Sequence, residues 1–250
     1  MKKPTRILSS TVAVIMFLGF SIGAVQAGPC ELADFASTSF TDPLTIDNPY
    51  WPLVPGTTFV YEPVPNEDDV VNTIIVTHRT KRIDVDGKRI RCRVVYDVEE
   101  VDGYVTEETW DWYAQDDEGN IWYCGEDTVE YIYDDDWNLI DTSTEGSWEA
   151  GVDGALPGYL LLADPSPGVC YQQEYYADEA EDVAKVLRLN ANVTLENGDS
   201  YEECLETKEW TQLDPGNVEK KYYEKGVGLV LIEELKEKSV RVELMEIIGP

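Results

Sequence analysis

From Thr57 onward, apolar and polar residues alternate in short runs separated by turn residues. That period of two is the pattern of half-buried β-strands. Thr57 to Glu62 reads as the first strand and Pro63 to Asp69 as a loop. Asn72 to Asp84, rich in Ile, Val and Thr, continues the pattern. Asp86-Gly87, Asp102-Gly103 and Asp117-Glu118-Gly119-Asn120 are turn signals between such runs. Trp148 to Gly168 is rich in Gly and Pro and is expected to be a long loop crossing one end. Strands resume at Val169 to Ala177. Asp178 to Leu189 has the composition of a short helix, but its flanks favour a strand. Asn190 to Leu195, Tyr201 to Leu213, Val218 to Glu224, Gly228 to Leu235 and Val240 to Ile247 complete the series.

The fold class that follows is all-β: an antiparallel meander of roughly ten or eleven strands forming a strongly curved sheet or barrel, because closure removes exposed edges. Before it, Asn48 to Gly56 holds Pro49, Pro52 and Pro55, which forbid a helix and interrupt any ladder. Residues 28–56 are therefore read as an extended N-terminal arm, and 57–250 as a single β domain.

One hairpin allows a register to be written. With Val101-Asp102-Gly103 as a three-residue loop, Val94 faces Trp110, Cys92 faces Trp112, Arg93 faces Asp111 and Asp97 faces Glu107. Around the next turn, Trp112 faces Cys124 and Ala114 faces Trp122. Cys92 and Cys124 then lie two strands apart, about 10 Å. A disulfide needs Cα atoms within about 7 Å, so these two are expected to stay unbonded to each other. Cys204 or Cys170 is the expected partner for Cys92.

Charge changes the picture in two ways. The formal net charge is −31, and Lys2, Lys3 and Arg6 belong to a leader, so the chain after the leader carries −34. That argues against nucleic acid and anionic membranes as partners. It suits cations, basic partners or a salty habitat. The cations are also unevenly placed. Arg79, Lys81, Arg82, Lys88, Arg89, Arg91 and Arg93 are followed by Asp97 to Asp111, which has seven acids and no base. Cross-strand pairing between the two runs is the expected result.

Residues 1–27 read as a signal peptide. A positive start is followed by the apolar stretch Thr11 to Ile22 and by Val25-Gln26-Ala27 at the cleavage positions. The expected location is secreted or periplasmic, with no membrane insertion after the leader is removed. Five cysteines in an exported chain suggest disulfides, and the odd number leaves at least one over. Pro29 stands where a lipoprotein signal wants Gly or Ala, so Cys30 reads as an ordinary cysteine.

Candidate chemistry is confined to carboxylates. Asp116, Asp117, Glu118, Asn120, Glu126 and Asp127 surround one hairpin and are the oxygen-bearing side chains a calcium-like cation takes, without the EF-hand spacing. Asp134, Asp135, Asp136, Asn138 and Asp141 form a second acidic group. Glu174, Glu179, Glu181 and Asp182 form a third. Paired carboxylates could also serve glycoside hydrolysis. His78 is the only histidine and reads as a strand residue, and there is no GxSxG elbow, phosphate loop or dinucleotide fingerprint.

Asp111-Trp112-Tyr113-Ala114-Gln115-Asp116, Gly119-Asn120-Ile121-Trp122-Tyr123, Gly125-Glu126-Asp127 and Gly226-Val227-Gly228-Leu229-Val230 together resemble a family of uncharacterised secreted bacterial proteins. The resemblance implies an exported, β-rich single domain and transfers no catalytic residue. The expected function is non-enzymatic binding of a cation, calcium-like, or of a small ligand. A carboxylate-based hydrolase of extracellular polymers and a structural envelope protein are the alternatives.

Overall fold

The computed structural model describes residues 30, 32–235 and 240–250. The leader expected at 1–27 lies outside the described residues. The described chain is all-β, without helix. Its strands are β1 (Thr58–Val64), β2 (Val70–Val85), β3 (Lys88–Val101), β4 (Tyr104–Gln115), β5 (Ile121–Tyr123), β6 (Gly125–Glu126), β7 (Thr128–Tyr133) and β8 (Leu139–Ser143). They continue as β9 (Trp148–Glu149), β10 (Leu156–Leu161), β11 (Cys170–Gln172), β12 (Glu174–Tyr175), β13 (Asp182–Thr194), β14 (Ser200–Thr211), β15 (Val218–Glu224), β16 (Gly228–Glu234) and β17 (Val240–Ile248).

The main sheet runs in the order β11-β13-β14-β15-β16-β17-β1-β2-β3-β4-β5-β10-β12. The β7–β8 hairpin branches from β4, and β6 and β9 make a separate pair. Every ladder is antiparallel.

The two ends of that order are neighbours along the chain. β11 pairs with β13 and β12 pairs with β10, and only Gln173 separates them. One short run therefore serves both edges and draws the meander into a nearly closed barrel. Trp148 to Gly168 is accordingly not a plain loop: it supplies β9 and β10. Gly158 makes this work. A Cβ there would lie 2.4 Å from the Gln172 carbonyl oxygen and 2.5 Å from that of Gln173. Only a residue without a side chain lets β10 come this close to the closing run.

The arm is held by named bonds. Phe35 and Phe40 pack edge-on against Trp122, with centroids at 5.4 and 5.7 Å. Gln115 and Asp117 donate backbone N–H groups to the Pro43 and Ser39 carbonyls. Lys88 reaches the Phe35 and Thr38 carbonyls, and Arg93 the Leu44 carbonyl. Trp51 packs against Tyr113 of β4 and Tyr223 of β15. Cys30 is disulfide-bonded to Cys170 in β11, across 140 residues of chain. That bond corrects the expected pairing of Cys92 with Cys170 or Cys204. Cys92, Cys124 and Cys204 are free and buried.

The β3–β4 register differs from the expected one by two residues. The loop is a two-residue turn, Asp102 (φ 53°) and Gly103 (φ 79°), both left-handed as a type I′ turn requires. A bulge between Glu99 and Glu100 adds the remaining offset. Val94 consequently faces Trp112, Tyr96 faces Trp110, Asp97 faces Thr109 and Val95 faces Asp111. A slip of two keeps every side chain on its expected face. Ala114 does face Trp122. Trp112 accepts the Cys124 N–H at 2.9 Å, as the expected row places it.

Two substitutions test the closure. Gly158→Ala is expected to destabilise by about 1–3 kcal/mol through forced displacement of backbone. Gly216→Ala, whose nearest atom would be a side-chain oxygen at 3.5 Å, serves as the neutral control. Urea midpoints of both variants decide this: equal midpoints would mean that the close approach is unimportant. Replacing Cys30 and Cys170 together by Ser is expected to cost about 2–5 kcal/mol, read by the same titration.

Candidate functional site

Buried acids occur on both halves of the barrel, but their partners differ. On the β13–β17 half, acids meet bases. Glu206 pairs with Arg188 and with Lys220 at 3.1 Å, Glu209 with Lys221 at 2.8 Å, and Glu243 with Arg241 at 2.7 Å. On the other half, Asp111 of β4, Glu126 of β6 and Glu174 of β12 are each at most 6% exposed. Among the described residues, none of these three has an ion-pair partner. The sequence explains the contrast. Between Arg93 and Lys185 there is no Lys, Arg or His, while 26 Asp and Glu fall in that stretch.

The expected Arg93–Asp111 pair is where compensation fails. Arg93 lies across from Tyr113, and its guanidinium donates to the Thr77 and Leu44 carbonyls. The rest of the basic strip behaves similarly. Lys81 sits over the Trp112 ring at 4.0 Å and bonds Glu149 at 2.8 Å. Arg79 covers Trp110, and Arg89 returns to Asp84 on the neighbouring strand. Much of the strip thus holds the arm and packs on tryptophans, and Asp111 is left to neutral partners.

Those partners are phenols and a hydroxyl. Tyr123 donates its hydroxyl to Asp111 at 2.8 Å, and Thr128 donates to Glu126 at 3.2 Å. Among the described residues, one oxygen of Glu126 (Oε1) and one of Glu174 (Oε2) have no hydrogen-bond partner. Trp148 faces Glu126 across the β6–β9 pair and stands edge-on to Tyr123 at 5.3 Å. Gly125 (φ 129°) permits this arrangement, since a Cβ there would meet the Trp148 carbonyl at 2.4 Å and the Trp112 ring at 2.9 Å. Without that glycine the chain could not pass between the Trp148 backbone and the Trp112 ring on its way to Glu126.

Burial without a counter-charge disfavours the ionised form. Burial pushes the Asp111 carboxyl up to about 7. It holds Glu126 well above the carboxylate range, with Asp111 adding to the effect. Glu174 is raised by burial and then by Asp182 and Glu126. The acidity continues around the wall. Glu107 is pushed up to about 8 by burial and by Glu99 and Glu130. Asp182 reaches about 6, raised by burial and eased by Lys221.

The six hairpin residues separate in the fold. Asp116 ties the turn: Oδ1 accepts the Glu118 and Asn120 N–H groups, and Oδ2 accepts Asn120 Nδ2 and Trp122 Nε1. Asp117 accepts the Thr41 N–H and hydroxyl, fastening the arm. Asn120 Oδ1 accepts the Ala163 N–H. Glu118 and Asp127 are exposed. Asp116 and Asn120 are buried within the turn they tie, and Glu126 is the buried member with an oxygen that no described residue bonds. Asp111, read from the sequence as an ion-pair member, is likewise buried, as is Glu174 of the third acidic group. Asp134 of the second group caps its own turn, accepting from Asp136 and Asn138. His78 is exposed beside the bulge in β2. Among the described residues, no group of three or more His, Cys, Asp or Glu converges with the geometry of a metal site.

No protein-family model matches the chain, and no curated protein matches it. Two solved structures have a related shape. One is a protein from Bacteroides fragilis described as exported and of YmcC-like fold. It is 11% identical, with 80% of this chain and 99% of that one covered and a TM-score of 0.44. The other, from Parabacteroides distasonis, is described as a lipoprotein. It is 10% identical, with 81% and 100% covered and a TM-score of 0.40. Neither likeness assigns this chain a function.

The raised carboxyls set a pH dependence. A group whose folded pKa lies above its unfolded value holds its proton in the native state while the unfolded chain has lost it. Its stabilisation is complete below about pH 4 and disappears as pH rises through the folded value. The melting temperature is therefore expected to fall between pH 5 and pH 8 at constant ionic strength. Asp111→Asn should flatten that fall, because the amide does not titrate. An unchanged fall in the variant would remove Asp111 from the account.

Proposed function

We propose that the chain is an exported, non-enzymatic binding protein whose ligand is a small cation, taken up at Asp111, Glu126 and Glu174. The observation that supports this is the uncompensated burial of three carboxyls in a protein that pairs comparable acids elsewhere with Arg or Lys. A bound cation would supply the missing charge and would hold the ionised forms against the cost of burial. Tyr113 and Tyr123 would present ring faces and hydroxyls to the same ligand. The calcium-like reading of the Asp116–Asp127 hairpin narrows to Glu126, since Asp116 and Asp117 already accept several protein donors.

Two ligand sources share this chemistry: an organic ammonium, and a divalent metal ion, which would have to draw the three carboxyls together because they do not stand in metal-site geometry here. Thermal unfolding at pH 7.5 with calcium, and separately with a short diamine, distinguishes them at matched ionic strength. One of the two is expected to raise the melting temperature in the native sequence, and Glu126→Gln should abolish the rise. No rise with either, or the same rise in the variant, would reduce the effect to charge screening and end the proposal.

A further inference from the structure

The β7–β8 hairpin branches off the barrel, and among the described residues its outer edge is open: β8 pairs only with β7. Trp110 and Asp127 exchange both backbone N–H bonds. Alternation then turns the backbone groups of Glu130 and Ile132 toward β8, where they face Ser143 and Asp141. Thr142, between those two, directs its own N–H and carbonyl outward. The N–H is capped by the Asp141 side chain at 2.9 Å. Along this edge Leu139 and Ile140 are exposed. The tip carries three aromatic rings. Trp137 stacks on Tyr104 of β4, parallel within 2° at 4.6 Å. Tyr133 stands edge-on to both, at 5.4 and 5.7 Å. The group is fixed in place: the Tyr133 hydroxyl donates to the Val105 carbonyl at 2.9 Å, and the Asp134 N–H to the Asn138 carbonyl at 3.0 Å. Trp137 holds its place at φ 60°. Five of the seven described non-glycine residues with positive φ are Asp, which tolerates that region; Trp137 is the one aromatic. Such a position is kept where the ring has a use.

We propose that this hairpin docks an extended, basic segment of a partner protein, which adds a strand to β8 and lays Lys or Arg side chains on the Tyr104–Trp137 rings. Charge selects that occupant. Residues 128–147 hold six acids, Glu130, Asp134, Asp135, Asp136, Asp141 and Glu145, all exposed, and no base. Among the described residues none of the six has an ion-pair partner. Ring faces attract ammonium and guanidinium groups, and strand addition supplies main-chain bonds that a side-chain contact alone does not. Edge strands are commonly guarded by a charge, and Asp141 is the guard here. A base on the incoming strand draws that carboxylate off the Thr142 N–H and frees it for the new ladder. A second copy of this chain is the wrong occupant, because its net charge of −31 repels it. A sugar would use the ring faces but not the Thr142 backbone or the Leu139–Ile140 pair. The surface is separate from Asp111, Glu126 and Glu174, and the proposal does not depend on cation binding there.

The test uses the chain from residue 28 onward and short fluorescein-labelled peptides, read by anisotropy at about 150 mM salt, where surface charge is screened beyond about 8 Å. The expected result is that a peptide of alternating Lys and Val binds. One of alternating Lys and Pro, equal in charge but without the N–H groups of a strand, should bind about tenfold more weakly. Two variants locate the contact. Thr142→Pro removes an outward N–H and no bond to β7, and Trp137→Gly suits the backbone angle while deleting the indole. Each is expected to weaken the Lys-Val peptide about tenfold with the melting temperature retained. Glu126→Gln should leave the affinity unchanged, which separates this surface from the interior acids. No binding of the Lys-Val peptide would overturn the proposal. Equal binding of the two peptides, or affinity retained in both variants, would reduce it to general charge attraction and overturn it as well. So would a glucan oligosaccharide that binds in place of the peptide and is lost in Trp137→Gly, which would make the rings a sugar platform.

Discussion

Closure at Gln173 is the constraint on which the rest of the molecule depends. A long antiparallel meander has two unpaired edges, and here both are served by the run from Cys170 to Tyr175. Gly158 admits that run, and the Cys30–Cys170 bond ties the start of the arm to it. Closing the edges creates an interior that both faces of the strands at one end help to bury. Trp122 is covered by Phe35 and Phe40 of the arm and Trp112 by Lys81, while Asp111, Tyr113 and Tyr123 are buried at the alternate positions of the same strands. An open sheet would have left Asp111 in water.

Charge is segregated by the same geometry. The basic strip on β2 and β3 lies against the arm and the outer tryptophans, where its long side chains pack as well as pair. The bases of β13 to β17 reach the acids of their own half. The stretch from β4 to β12 contains no base, so its inward acids depend on tyrosine and threonine hydroxyls, on protonation or on a ligand. An exposed acid needs no such help, and this is why the charge of the whole chain says less than the position of three residues.

Much of the architecture was legible along the chain. Strand runs, Asp-Gly turns and the proline-rich arm follow from local rules about alternation and left-handed turn positions. Even the misplaced β3–β4 register kept its faces, because a slip of two preserves the alternation. The stretch read as a loop around β10 was less legible. Gly and Pro there signal turns, and only the approach of the Gln172–Gln173 backbone shows why a strand uses them.

By itself the sequence determined an antiparallel all-β chain with an arm, a strongly acidic balance and a shortage of bases in its middle. Those properties depend on neighbours within a few residues or on composition. Which acids are buried without a counter-ion, which cysteine bonds which, and which glycine admits the closing run were decided by the tertiary structure. Each depends on residues far apart in the chain, brought together by the coil of the sheet and by a bulge that local patterning does not specify. Asp111 shows the difference. Its face could be read from alternation, but the loss of Arg93 as its partner came from the register and from the arm's claim on that guanidinium.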